Sequence, residues 1–237
     1  RDINASQYSR IDPVRSPEGP NIGLVTYMAL YSRVNEFGFL EAPYRKVENI
    51  QGKMRVTDEV VYLQADDEEE LYITHAGVEL DDKGFIKAEW IPLRHNNDFI
   101  EGPVEQVQYI DVVPRQVVGT SAALIPFISH DEANRALMGS HMQCQSVPLV
   151  RAEAPIVGTG MEREIARAMN HTIYSDYAGT VEYVDADKLV LRLNNKDAEL
   201  AKAALQKRSR QNLTLKDSLL TYELRTFVRT SQSTCYT

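Results

Sequence analysis

Apolar and polar positions alternate over short stretches between residue 39 and about residue 118, and a period of two predicts antiparallel strands. Residues 53–56, 60–63, 71–74 and 85–88 carry the alternation, with turn residues at 49–52, 66–70 and 81–84 between them. The acidic run 66–70 lacks the ligand spacing and the glycine of a calcium-binding loop, so it reads as a solvated turn. Ahead of this module the chain is loop-like and punctuated by Pro17, Gly19 and Pro20. Asn21 then stands where it can cap a helix from Ile22 to about Asn35, with Val25, Met28, Ala29 and Ser32 on one face. Val25, Thr26 and Tyr27 would suit a strand equally.

Helical spacing returns from Ser121 to about Gln145, with a break near Pro126 and a restart at Asp131, whose charge suits a first turn. It recurs from Val157 to Met169, where Thr159 and Glu162 stand in capping-box spacing. Strands resume at 179–184 and 188–193 around a turn at 185–187, and a last strand is expected at 224–228. Residues 195–218 are polar and basic, and read as a helix or a mobile insertion. The expected fold class is α+β.

Composition narrows the function classes. The chain has 237 residues, 43% of them hydrophobic and 25% charged, with a net charge of -8. It contains no apolar run long enough for a transmembrane helix and no signal-peptide pattern. Opening on Arg1 rather than Met, it reads as cut from a longer protein. Two cysteines, Cys144 and Cys235, make no disulfide framework, so a reducing, cytoplasmic setting is expected. Residues 51–111 carry five basic and fifteen acidic groups, while the flanks are neutral to basic. Any nucleic-acid contact is therefore expected from the flanks, since such binding needs a basic face.

The segments that could carry chemistry are few. Pro17-Glu-Gly-Pro-Asn-Ile-Gly-Leu24 reads on its residue types as a stiff turn before a helix; its chemistry would also suit a rigid loop that presents Glu18 and Asn21 to phosphate or base edges. In 131–145, Arg135, Met138, Met142 and Gln145 fall on one broad side of a helix, with His141 near them. That side can hold a polyphosphate or a ribose, or simply pack. Gly139 inside this helix costs about 1 kcal/mol relative to Ala, which calls for a reason such as close approach of another backbone. The glycines of 157–163 lack the Walker lysine, the five histidines lack zinc spacing, and no nucleophile–base–acid set is assembled.

Taken in order, five phrases resemble the β subunit of bacterial RNA polymerase: Tyr8-Ser-Arg-Ile-Asp-Pro13, Pro17 to Leu24, Asn35-Glu-Phe-Gly-Phe-Leu-Glu-Ala-Pro-Tyr-Arg-Lys46, His130 to Gly139, and Val157-Gly-Thr-Gly-Met-Glu162. The resemblance implies three regions. Residues 1–40 would end the fork region that lines the active-centre cleft, 41–112 would be an external strand-rich module, and 113–237 would begin the domain that holds the RNA–DNA hybrid, with an insertion at about 195–218. It implies that Arg135, His141 and Gln145 meet nucleotide or RNA, and that Arg10, Glu18 and Asn21 line the nucleic-acid cleft. It places Pro17, Glu18, Val25 and Cys144 in the rifamycin pocket. His141 stands where this family usually has Asn, and Cys144 where it usually has Arg.

Partners implied by the resemblance are the β′, α, ω and σ subunits, the DNA template, the RNA transcript and nucleoside triphosphates, in a cytoplasmic, nucleoid-associated enzyme without a membrane. No catalytic residue or metal ligand is expected in this chain; the Mg2+ of nucleotidyl transfer would belong to β′. The alternative is a structural β module that binds protein and makes no nucleic-acid contact.

Overall fold

Eleven-residue strands β2 (Leu40–Ile50) and β3 (Lys53–Leu63) form the longest hairpin of the computed structural model, which describes residues 3–169, 172–207, 213–225, 228–229 and 235–236. Gln51 and Gly52 at its tip have φ of 53° and 82°, the left-handed pair that a two-residue turn needs to match strand twist. Asn49 accepts from the Gly52 amide at 2.9 Å and fixes the turn. Around this hairpin lie β1 (Arg33–Val34), β4 (Ile73–Thr74), β5 (Trp90–His95), β6 (Asp98–Pro103) and β7 (Tyr109–Asp111). The sheet order is β1-β2-β7-β4-β5-β6, with β3 also on β2, and only β4 and β7 run parallel. The mixture of helices and sheets is α+β, as the residue pattern implies.

The chain divides into two compact units, Arg1–Met169 and Asn170–Thr237. In the first, the sheet is followed by short helices: α1 (Ala65–Glu69) after β3, then α2 (Thr120–Ala123), α3 (Ala133–Gln143) and α4 (Glu162–Ala168). One apolar core gathers Val47, Met54, Ile91, Leu93, Val107 and Ile110; a second gathers Ala42, Tyr44, Leu63 and Ile73.

Between these cores and the leading segment sits a buried charged network. Glu68, on α1, meets Arg10 at 2.6 Å and Arg94 at 2.5 Å, and accepts from the Tyr44 hydroxyl at 2.8 Å. Arg10 also donates to the carbonyls of Leu63 and Leu40. Arg94 lies over the Tyr8 ring at 3.7 Å and meets Asp111 at 3.5 Å, and the Tyr8 hydroxyl donates to Asp111 at 2.8 Å. Gln116, fully buried, accepts from the Val112 amide at 2.8 Å and donates to Ser9 at 3.0 Å. Leading segment, strand module and following turn are thereby joined in one unit. Burial pushes the Asp111 carboxyl above its ordinary range; Arg94 opposes this but is engaged more closely by Glu68.

Several expectations need correction. No helix forms over 22–35: Gly23 takes a φ of 73°, Leu24 and Val25 donate back to the Asn21 carbonyl as turns, and Met28 bridges Ile11. The positive φ of Gly23 breaks the helical run, and residues 25–27 form neither helix nor strand. The 66–70 run is not simply a solvated turn, because Glu68 points inward to two arginines that neutralise it. Residues 85–88 make only isolated bridges, and the pairing goes to β5 and β6, joined through Asn96 and Asn97 at φ of 50° and 65°.

The second unit carries β8 (Gly179–Val184), β9 (Lys188–Leu193), α5 (Asn195–Lys207), β10 (Leu213–Lys216) and β11 (Leu219–Glu223), ordered β10-β11-β9-β8. A further pair is β12 (Val228–Arg229) with β13 (Cys235–Tyr236). Of the segment 195–218, residues 195–207 are helical, 208–212 lie outside the described residues, and 213–216 form strand β10 rather than a helix. Ala201 is fully buried against Leu191, Leu193, Leu220 and Tyr222. The strand expected at 224–228 includes residues 226–227, which lie outside the described residues; Leu224 and Arg225 belong to no strand.

Candidate nucleic-acid interface

Helix α3 has one buried edge and one open side. Ala136 and Ser140, four apart, turn inward at 4% and 0% exposure, and α2 packs nearby with Ser121, Ala122 and Ala123 also buried. This leaves Arg135, Met138, His141 and Met142 facing solvent, followed by Cys144 and Gln145 just past the last turn. Arg135 touches only the Met138 sulfur at 3.5 Å, and no carboxylate among the described residues pairs with it. The expected reason for Gly139 is absent: a Cβ there would meet Ile125 at 3.6 Å, an ordinary contact, and no backbone approaches.

The Pro17–Leu24 turn is open as well. Pro17 is half-buried, while Glu18, Asn21 and Val25 are exposed. Gly19 holds a φ of 90°, a conformation that side-chain-bearing residues avoid, and this lets the chain fold back at Pro20. What brings this turn to α3 is Arg15. Its guanidinium donates to Ser121 at the start of α2 at 3.0 Å and to the Cys144 sulfur at the end of α3 at 3.0 Å, and it stacks over the Tyr27 ring at 3.9 Å. Two segments that are well over a hundred residues apart thus meet at one side chain. Glu18 and Asn21 follow it in sequence.

Arg10 is placed differently. It is 2% exposed, its guanidinium is enclosed by Glu68 and backbone carbonyls, and it presents no free face to a phosphate. The sequence offered no sign of Arg15, Tyr27, Ser121 or Gln116 as organising residues. Glu162 does reach back to Thr159 as their spacing suggests: it accepts from the Thr159 and Gly160 amides at 2.7 and 3.0 Å, and these bonds hold its carboxyl below the usual range. They fix the turn ahead of α4, whose N-cap is Met161 with no side-chain cap, so the helix begins at Glu162 rather than at Val157. The glycine turn of 157–160 is therefore filled by the chain's own carboxylate. A cavity of about 300 Å3 opens beside Tyr8, Arg10, Glu68 and Arg94, but the charges at its wall are already paired. Among the described residues no group of three His, Cys, Asp or Glu side chains is set to hold a metal ion, and no helix is long and apolar enough to cross a membrane.

Residues 1–34 match the family model described as RNA polymerase Rpb2, domain 3, and residues 44–113 match that of the RNA polymerase beta subunit external 1 domain. These matches define the class as a large subunit of multisubunit RNA polymerase. The chain is 48% identical to the DNA-directed RNA polymerase subunit beta of Aquifex aeolicus over 99% of its residues. It is 45% identical to that of Sorangium cellulosum over 100%, and 43% identical to that of Salinibacter ruber over 99%. It spans 15%, 16% and 17% of the length of these three relatives. The chain belongs to the family of the bacterial RNA polymerase β subunit.

Proposed function

We propose that this segment serves DNA-directed RNA polymerase by positioning the nucleotide, the RNA 3′ end and the RNA–DNA hybrid for nucleotidyl transfer, and that it is inactive alone. The observation that carries this reading is the open side of α3, where Arg135 stands exposed without a counter-carboxylate, with His141 and Gln145 following. A guanidinium left unpaired on a rigid helix is suited to a phosphate, because it can give two parallel charge-assisted hydrogen bonds. His141 supplies a ring N–H for a ribose hydroxyl, and Gln145 both a donor and an acceptor.

In this reading residues 1–40 end the fork region, 41–112 form the acidic external module and 113 onward begins the hybrid-binding domain. Glu18, Asn21 and Arg10 belong to the cleft region, Arg10 by fixing the fold behind it. Pro17, Glu18, Val25 and Cys144 form part of a rifamycin pocket. The chain works with β′, α, ω and σ subunits, template, transcript and nucleoside triphosphates in the cytoplasm. The Mg2+ that stabilises the transferring phosphates would be held by β′.

A second reading, protein binding by the strand module without nucleic-acid contact, has one observation in its favour. Edge strand β6 and its neighbour β5 expose Phe99 at 80% and Trp90 at 67%. Transcription by the reconstituted enzyme with Arg135→Ala separates the readings. A loss of elongation rate or nucleotide affinity of at least tenfold, about 1.4 kcal/mol, is expected. Wild-type values for both would remove Arg135 from the nucleotide.

A further inference from the structure

Helix α3 sets a thioether beside its exposed cation. Arg135 and Met138 stand three residues apart on one face, and Nη1 of Arg135 lies 3.5 Å from the Met138 sulfur. A thioether is a weak acceptor, so the guanidinium stays available to an anion. The methionine side chain can be reached from solvent: Met138 is 42% exposed, whereas Met54 and Met161 are buried at 6% and 4%. Met142, one turn on and 61% exposed, has no such contact with a cation among the described residues. Met138 is thus both open to an oxidant and in touch with the group whose charge the surface depends on.

We propose that Met138 is an oxidation site that governs Arg135, an inference that rests on the reading of this arginine as a nucleotide contact. A peroxide converts the thioether to a sulfoxide, and the new oxygen holds the guanidinium away from the incoming phosphates. A sulfur lone pair attacks one peroxide oxygen, and the O–O bond breaks as the S–O bond forms. The proton of the attacked oxygen passes to the departing hydroxide, which leaves as water. Sulfur loses two electrons and the peroxide gains them. Arg135 assists, because its N–H groups beside the sulfur can donate to the oxygen that departs with negative charge. The product puts a polar acceptor where a weak one stood. A dithiol-dependent sulfoxide reductase reverses the change: the oxygen leaves as water and two thiols close to a disulfide. One extra neutral hydrogen bond must then be broken before Arg135 can meet phosphate, which lowers nucleotide affinity roughly two- to tenfold. Turnover at saturating nucleotide is little altered, because that bond is broken on binding rather than in the chemical step.

The test uses the full-length subunit assembled into polymerase on an RNA–DNA scaffold. KM and kcat for addition of one nucleotide are measured before hydrogen peroxide, after it, and again after a methionine sulfoxide reductase. Peptide mass spectrometry follows the oxygen gained at Met138 and at Met142. Wild type, Met138→Leu, Met142→Leu and Arg135→Ala are each compared with their own untreated sample. Wild type and Met142→Leu should show a KM raised roughly two- to tenfold and restored by the reductase, with kcat held, and Met138→Leu should show no rise. Met138 left unoxidised while Met142 takes up oxygen overturns the inference, as does a rise that persists in Met138→Leu or a fall in kcat alone. If Met138 carries oxygen and KM is unchanged, untreated Arg135→Ala decides how much falls. A raised KM in that variant strikes only the oxidation site; a wild-type KM strikes the reading of Arg135 as a nucleotide contact as well.

Discussion

Replacing Glu68 with Ala removes the one carboxylate that two buried arginines share. The side chains of Arg10, Glu68 and Arg94 are 3%, 10% and 17% exposed, so water does little to screen them. Arg94 keeps Asp111 at 3.5 Å, but Arg10 is left with carbonyl acceptors alone and no opposite charge. Breaking a buried pair by deleting one partner costs about 3–5 kcal/mol, chiefly because the remaining charge stays buried. Urea unfolding followed through Trp90, the single tryptophan and a member of β5, reads this unit directly. With a denaturant slope of about 2 kcal/mol/M, the midpoint should fall by roughly 1.5–2.5 M. Glu70→Ala, an exposed change beside it, should stay within about 0.5 kcal/mol. A fall of less than about 0.5 M for Glu68→Ala would refute the argument that this network holds the leading segment to the sheet.

Other outcomes follow from the same geometry. Because burial raises the Asp111 pKa above 3.8, the folded state binds its proton more tightly than the unfolded chain. The stability this group contributes is therefore full below 3.8 and is lost as pH rises through the folded-state value; Asp111→Asn should gain on wild type over that window in the Trp90 unfolding assay. A variant that loses ground as pH rises would show that Arg94 outweighs burial. Gly139→Ala has room for its methyl, so it should stabilise α3 by about 0.5–1 kcal/mol. If transcription by the assembled enzyme nevertheless falls with this variant while thermal stability rises, nucleic acid rather than protein approaches Gly139.

What could be read from sequence was local. The β2–β3 turn is announced by Asn49 and Gly52 and the turn ahead of α4 by Thr159 and Glu162, because each is settled by residues within one or two turns of the chain, whereas 195–218 stayed open between helix and mobile insertion. The site was legible only as two separate segments. Nothing local says that Arg15 will join them, since Ser121 and Cys144 lie 106 and 129 residues away. The acidic run misled for the same reason: composition marks it as solvated, and the partners that draw Glu68 inward are 58 and 26 residues distant. The helix expected from Asn21 onward failed where two local preferences competed, and the positive φ of Gly23 decided for turns.

The central claim, that the open side of α3 meets the growing transcript, is tested most directly by crosslinking. Full-length subunit is assembled with its partners around an RNA whose 3′ end carries a photoreactive nucleotide, and adducts are mapped by peptide sequencing. The account predicts an adduct at or next to Arg135 that appears only when template is present. An active, template-bound complex that gives adducts elsewhere and none on 131–145 would contradict it and leave α3 as scaffold.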